Sequence, residues 1–330
     1  MPDLLAQLAP QRSTQYRDMA VRLAEPELRL LLDDRIANAQ AAQIGGQAYL
    51  RLSLNGELEL GQHESLGRTA FTSAFFWVHD RIGEVDGPLL QPLEVPDATV
   101  LPREIVETRR YRGKTNELFT QFLCNVCHRA SEFSDQPWSK LRLLDPLAGG
   151  GTTLFVALTW GADVAGIDRA ARDVESTAGF LRRFLQGEGI ACHSKKERLR
   201  QLGTRWDLRI GREGAQRCLL CAGDTVDAAK LVPGFRPHLI VADLPYGIQH
   251  KGGLRDLVAR GLPAWAEQLR PGGAMALAWE SSRFAREAFS AQVESLSGLE
   301  VRQSPPYDAL AHRVDRVIKR RDVLVVVKQL

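Results

Sequence analysis

A chain of 330 residues with 44% hydrophobic and 25% charged side chains has room for one large or two ordinary globular domains, and its composition excludes a disordered chain. No 18 apolar residues run together, and the opening Met1-Pro2-Asp3-Leu4-Leu5 lacks a basic start with an apolar core, so neither membrane nor secretory signal is expected and the cytoplasm is the expected location. The net charge of +3 is unevenly spread: residues 193–217 hold eight Lys/Arg against three acids, 312–328 six against two and 103–114 five against two, which predicts a side that faces a polyanion.

In chain order, residues 1–85 predict a small α+β accessory domain. Helical patterns near 13–24 and 26–40 precede strands at 48–54 and 58–60, joined at Asn55-Gly56 as a tight hairpin. A further helix is expected over 66–82, from the spacing of Leu66, Ala70, Phe71, Ala74, Phe75, Val78 and Ile82. Residues 86–104, with Pro88, Pro92, Pro96 and Pro102, read as an extended linker.

From residue 105 to 330 strands and helices alternate, as a doubly wound α/β sheet requires. A helix is expected from Thr115 to Ala130, then seven strands near 141–145, 163–167, 217–222, 238–242, 273–279, 299–303 and 322–328. Helical patterns lie between them at 152–160, 170–186, 225–231, 254–269 and 282–295. The basic, glycine-punctuated stretch between 186 and 217 reads as a hairpin or loop insertion. Cys124/Cys127 and Cys218/Cys221 have Cys-x-x-Cys spacing, but the second pair falls on a strand, where residues three apart face opposite ways. The first pair sits on an amphipathic helix, where reduced cysteine behaves as a small hydrophobe, and no metal is expected.

Two motifs carry the chemistry. Leu143-Leu144-Asp145-Pro146-Leu147-Ala148-Gly149-Gly150-Gly151-Thr152-Thr153 is a short apolar strand, an Asp at its carboxyl end and a glycine loop opening a helix. It lacks the Gly-Lys-Ser/Thr of a P-loop and the third glycine of a dinucleotide fingerprint. Val241-Ala242-Asp243-Leu244-Pro245-Tyr246-Gly247 has the same strand-then-turn form. Together they resemble the S-adenosylmethionine (SAM) dependent amino-methyltransferases of nucleic acids, above all the THUMP-associated RNA methylases that modify guanosine N2 in tRNA. The resemblance covers roughly the last 220 residues and implies a seven-stranded methyltransferase sheet with SAM as cofactor.

On that resemblance Asp145 would accept from the methionine ammonium, while Gly149, Gly150 and Gly151 let backbone approach the ligand. The helix opening at Thr152 would offer N–H groups to the methionine carboxylate. Asp168 would take the ribose hydroxyls and Asp224 the adenine amino group. The alternative for each Asp is a helix N-cap. Asp243 and the Leu244 carbonyl would accept from the target amine, with Pro245 stiffening the turn and Tyr246 stacking on an extruded base. Leu244 departs from the commoner Asp-Pro-Pro-Tyr pattern, and some RNA guanosine methylases share it. Arg112, Lys114 and Asn116, in a segment resembling one that flanks cofactor and substrate, and Arg313, between the last two strands, are the substrate-binding candidates.

The implied partner is tRNA or rRNA. A DNA adenine-N6 or cytosine-N4 methyltransferase is the enzymatic rival, with a small-molecule or protein N-methyltransferase behind it. A non-catalytic RNA-binding protein that keeps the fold is the rival of another class.

Overall fold

The computed structural model describes residues 3–10, 14–111, 113–246, 253–314 and 320–330. The chain forms two compact units, one of Met1–Ala98 with Ser304–Arg321 and one of Thr99–Gln303 with Asp322–Leu330.

The accessory unit runs β1 (Asp3–Leu8), α1 (Thr14–Leu32), β2 (Ile36–Ile44), β3 (Gln47–Leu54), α2 (Leu60–Leu66), β4 (Thr72–Ile82) and β5 (Val85–Leu93). Its strands make an antiparallel sheet in the order β2-β3-β1-β4-β5. Leu4, Leu5 and Ala6 are all fully buried, so the central strand β1 is covered on both faces. On one face Leu5 packs with Tyr49 and Val78. The buried Glu27 carboxylate of α1 accepts from the Ala70 and Phe71 N–H groups ahead of β4.

Five sequence expectations change in this unit. The helices at 13–24 and 26–40 are one helix that continues through Pro26 and stops at Leu32, after which β2 begins. The hairpin lies at Gly45-Gly46, both at positive φ, rather than at Asn55-Gly56. Residues 58–60 are no strand: Leu60 opens α2 under a capping box between Glu59 and Gln62. Residues 72–82, read as helix, are β4; Phe75, Phe76, Trp77 and Val78 suit a pleated surface between β1 and β5, and that pairing overrides the apparent helical spacing. The proline stretch carries β5, an edge strand where Pro92 needs no ladder N–H on its solvent side.

The larger unit opens with α3 (Glu104–Glu107) and α4 (Glu117–Ala130). It continues through β6 (Arg142–Asp145), α5 (Thr152–Thr159), β7 (Asp163–Asp168), α6 (Ala171–Gly187), β8 (Cys192–Leu199), β9 (Gly203–Ile210) and β10 (Gln216–Ala222). α7 (Ala228–Leu231), β11 (Leu239–Asp243), α8 (Gly253–Gln268), β12 (Ala274–Glu280), α9 (Arg286–Glu294), β13 (Leu299–Val301) and β14 (Arg321–Lys328) complete it. Sheet order is β13-β14-β12-β11-β6-β7-β10-β9-β8. The seven expected strands are present, with β14 antiparallel to β13. β8 and β9 add an antiparallel hairpin within the basic insertion, and exposed Lys195 and Lys196 blunt its free edge. Much of that basic stretch is internally paired, as Arg205 with Glu197, Arg217 with Asp207 and Lys196 with Glu175.

Strand order reverses at β6, which has β7 on one side and β11 on the other, all parallel. Such a reversal opens a crevice at the carboxyl ends of the strands. Below it the buried core clusters around Leu144, Ile240, Leu277, Trp265, Trp279 and Phe289. Trp265 donates to Thr225 Oγ1 and Trp279 to the Phe284 carbonyl, so both indoles are core with their polar edge satisfied. Cys124, Cys127, Cys218 and Cys221 are buried free thiols, and burial pushes all four above the usual thiol range.

Candidate active site

Four parallel strands deliver four acids to this crevice: Asp145 ends β6, Asp168 ends β7, Asp224 follows β10 and Asp243 ends β11. A cleft with about 540 Å³ of empty volume is lined by Asp168, Asp224, Asp243 and Pro245, with Pro146 and Leu147 behind.

Asp145 is 3% exposed and accepts a 3.0 Å hydrogen bond from the Leu147 N–H. Burial pushes its carboxyl up to about 7, with the neighbouring charges of Asp168 and Asp243 adding to the shift and bonds from Thr153 and Leu147 opposing it. A buried acid flanked by two more is a site that favours a cation.

The glycine loop is tied to the second strand. Asp168 Oδ2 accepts from the Gly149 N–H at 2.9 Å, and Oδ1 from the Ala170 N–H at 2.8 Å. Each oxygen keeps a lone pair for a further donor. Gly151, at φ +86°, caps α5 in a left-handed conformation that side-chain-bearing residues seldom adopt. At Gly150 an added Cβ would lie 2.2 Å from the Tyr111 ring, so the aromatic face rests on the loop. The Tyr111 hydroxyl meets Thr152 Oγ1 at 2.6 Å, at the first residue of α5. Behind Tyr111 the Arg109 guanidinium is held among the Tyr111, Phe155 and Phe180 rings and donates to Thr177 Oγ1 at 2.8 Å.

Asp224 fills the capping role as well as lining the cleft: its Oδ1 accepts from the Val226 N–H at 3.2 Å, and its Oδ2 pairs with Arg169 at 2.7 Å. An adenine amino group would therefore share that carboxylate with Arg169.

Asp243 is held from two directions. Thr115 Oγ1 donates to Oδ2 at 2.8 Å, and the Tyr246 hydroxyl donates to Oδ1. The Leu244 side chain is buried and its N–H donates to the Ala278 carbonyl at 2.8 Å, which fixes the turn to β12. Arg283 donates to the Tyr246 carbonyl at 2.9 Å, a second tether on the turn.

No protein-family model matches this chain, and no curated protein sequence matches it. Solved structures do. TrmN from Thermus thermophilus is similar at 16% identity over 99% of this chain and 100% of that one, with a TM-score of 0.49. The Thermus thermophilus 16S rRNA N2 guanosine methyltransferase RsmC, in complex with AdoMet and guanosine, is similar at 14% identity over 90% of this chain and 59% of that one, TM-score 0.40. An rRNA methylase from Streptococcus thermophilus gives 10% identity over 66% and 99%, TM-score 0.38. At these values functional weight rests on the site residues themselves.

The substrate candidates fare differently from the strand-end acids. Arg112 lies outside the described residues, as does Gly247. Lys114 turns inward, 13% exposed, donating to the Val106 carbonyl at 2.7 Å and pairing with Glu117, which removes it from any phosphate. Asn116 is the N-cap of α4, its side-chain oxygen accepting from the Phe119 N–H at 3.0 Å. In their place stand Tyr111 on the glycine loop and Thr115 on Asp243, neither of which sequence reasoning singled out. Arg313 belongs to the accessory unit, not to the unit that holds the cleft.

Proposed function

We propose that this chain is a SAM-dependent methyltransferase acting on an exocyclic amino group of a nucleic-acid base, with guanosine N2 in tRNA or rRNA the preferred target. The observation that carries the reading is the single cleft lined both by Asp168 and Asp224, suited to a nucleoside's donors, and by Asp243 and Pro245 of the Asp-Leu-Pro-Tyr turn. The residues fit the cofactor. Asp145 offers a buried acid to an ammonium, Asp168 lone pairs to ribose hydroxyls, and Gly149 open space where a Cβ would otherwise stand.

SAM supplies a methyl group on a sulfonium, whose departing thioether is neutral. The protein's task is then positioning. Asp243 and the Leu244 carbonyl orient the amine lone pair towards the methyl carbon, and Tyr246 offers a ring for stacking once its hydroxyl leaves Asp243. The amine proton is lost to Asp243 or to solvent after the new bond forms.

The experiment is transfer of labelled methyl from SAM to total RNA, followed by mass spectrometry of the nucleosides. N2-methylguanosine is the expected product. Label in N6-methyladenine or N4-methylcytosine of duplex DNA instead would keep the chemistry and reverse the choice of polymer. SAM binding without transfer to either polymer would favour a non-catalytic protein.

A further inference from the structure

Two acids of the crevice stand in opposite electrostatic settings. Asp145 is buried with the charges of Asp168 and Asp243 nearby, a setting that suits a cation. Asp224 instead faces two guanidiniums: its Oδ2 lies 2.7 Å from Arg169 Nη2 and 3.5 Å from Arg260 Nη2, while its Oδ1 accepts from the Val226 N–H. With its charge offset in this way, the Asp224 end suits a neutral ligand that both donates and accepts.

Arg169 lines the same cleft as Asp168 and Asp224. It follows Asp168 directly at the end of β7 and reaches across to Asp224 after β10. The cleft wall therefore carries, in order, an acceptor suited to the ribose, a planar donor and a second acceptor. Adenine attached to a ribose presents the matching series: beyond the sugar comes N7, an acceptor, and then the N6 amino group, a donor. The guanidinium is a rigid fork, and its bond to Asp224 leaves other N–H groups on that fork. The ion pair itself, rather than a free charge, offers the donor and the acceptor side by side.

We infer that Arg169 donates to adenine N7 of the cofactor while it stays paired with Asp224, which accepts from the N6 amino group. The inference rests on SAM as the cofactor and adds Arg169 to its site as a residue that selects the base.

The test is calorimetric and uses the full chain with S-adenosylhomocysteine, the demethylated cofactor, and with its 7-deaza analogue, in which carbon replaces N7. Wild-type protein is expected to bind the analogue about tenfold more weakly, the equivalent of one hydrogen bond lost and one donor left unpaired. Arg169→Met keeps the stem and removes the fork. It is expected to bind S-adenosylhomocysteine about tenfold more weakly than wild type and to bind the two ligands equally. Position 169 is exposed, so its melting temperature should stay near wild type, and the wild-type comparison of the two ligands does not depend on any variant folding. Equal wild-type affinity for the two ligands overturns the contact with N7, as does an Arg169→Met protein that keeps the preference. Tighter binding of S-adenosylhomocysteine by Arg169→Met also overturns it, because the ion pair would then close the adenine subsite instead of reading it. Wild-type protein that binds neither S-adenosylhomocysteine nor SAM overturns the cofactor site itself and the Arg169 assignment with it.

Discussion

Thr115 Oγ1 donates a 2.8 Å hydrogen bond to Asp243 Oδ2 across 128 residues of chain, joining the loop before α4 to the carboxyl end of β11. A bond to a charged acceptor contributes roughly 1.5–3 kcal/mol. If it holds the carboxylate in its working orientation, Thr115→Val should slow transfer by about 10- to 100-fold and leave SAM affinity near wild type. Single-turnover kinetics with labelled SAM would measure this; an unchanged rate removes Thr115 from the machinery.

Asp243→Ala and Tyr246→Ala should each abolish or sharply reduce methylation with cofactor binding retained, since both are assigned to the amine and the base. Thermal melting alongside activity separates the roles. Two variants that lose SAM binding and melt together would instead make the Asp-Leu-Pro-Tyr turn a structural element.

Asp145 predicts a pH dependence of stability. A carboxyl held at about 7 in the folded chain, against about 3.9 unfolded, takes up protons on folding. Its contribution is therefore most favourable below about pH 4 and declines as pH rises through about 7. Asp145→Asn should flatten that part of the melting-temperature profile between about pH 4 and pH 7, the window these two values define. The ammonium of a bound cofactor should stabilise the ionised form, so SAM binding near pH 6, roughly a unit below the folded value, should release a proton. Calorimetry in buffers of different ionisation enthalpy reads that proton, and equal heats would refute it.

Gly150→Ala places a methyl group into the Tyr111 ring and should destabilise the protein by ~1–3 kcal/mol, as overpacked sites do. Tyr111→Ala in the same chain should recover most of that loss. Additive melting shifts in the double variant would show that the two positions do not touch.

The larger unit was legible because parallel strands buried on both faces read as short apolar runs, and here each run ends at a polar residue with a helix pattern behind it. Asp145, Asp168 and Asp243 could be placed at strand ends on that pattern alone. Thr115 and Tyr111 could not: a polar loop residue that reaches a strand end 128 positions away leaves no local signature. In the accessory unit the spacing of Phe71, Phe75, Val78 and Ile82 fits a helix and not the two-residue period of a strand, and pairing with β1 and β5 overrode it. Prolines in β5 looked like linker because edge position, which tolerates them, is a property of the assembled sheet.

The accessory unit takes its last segment, Ser304–Arg321, from near the far end of the chain. On a ribosome adding ~5–20 residues per second, its first 98 residues emerge roughly ten to forty seconds before that segment is made. During that interval α1 carries Arg22 without the Ala311 carbonyl it later meets. The unit that emerges first is thus among the last to be completed, and a nascent chain arrested before residue 304 would hold an accessory sheet without the segment that meets Arg22.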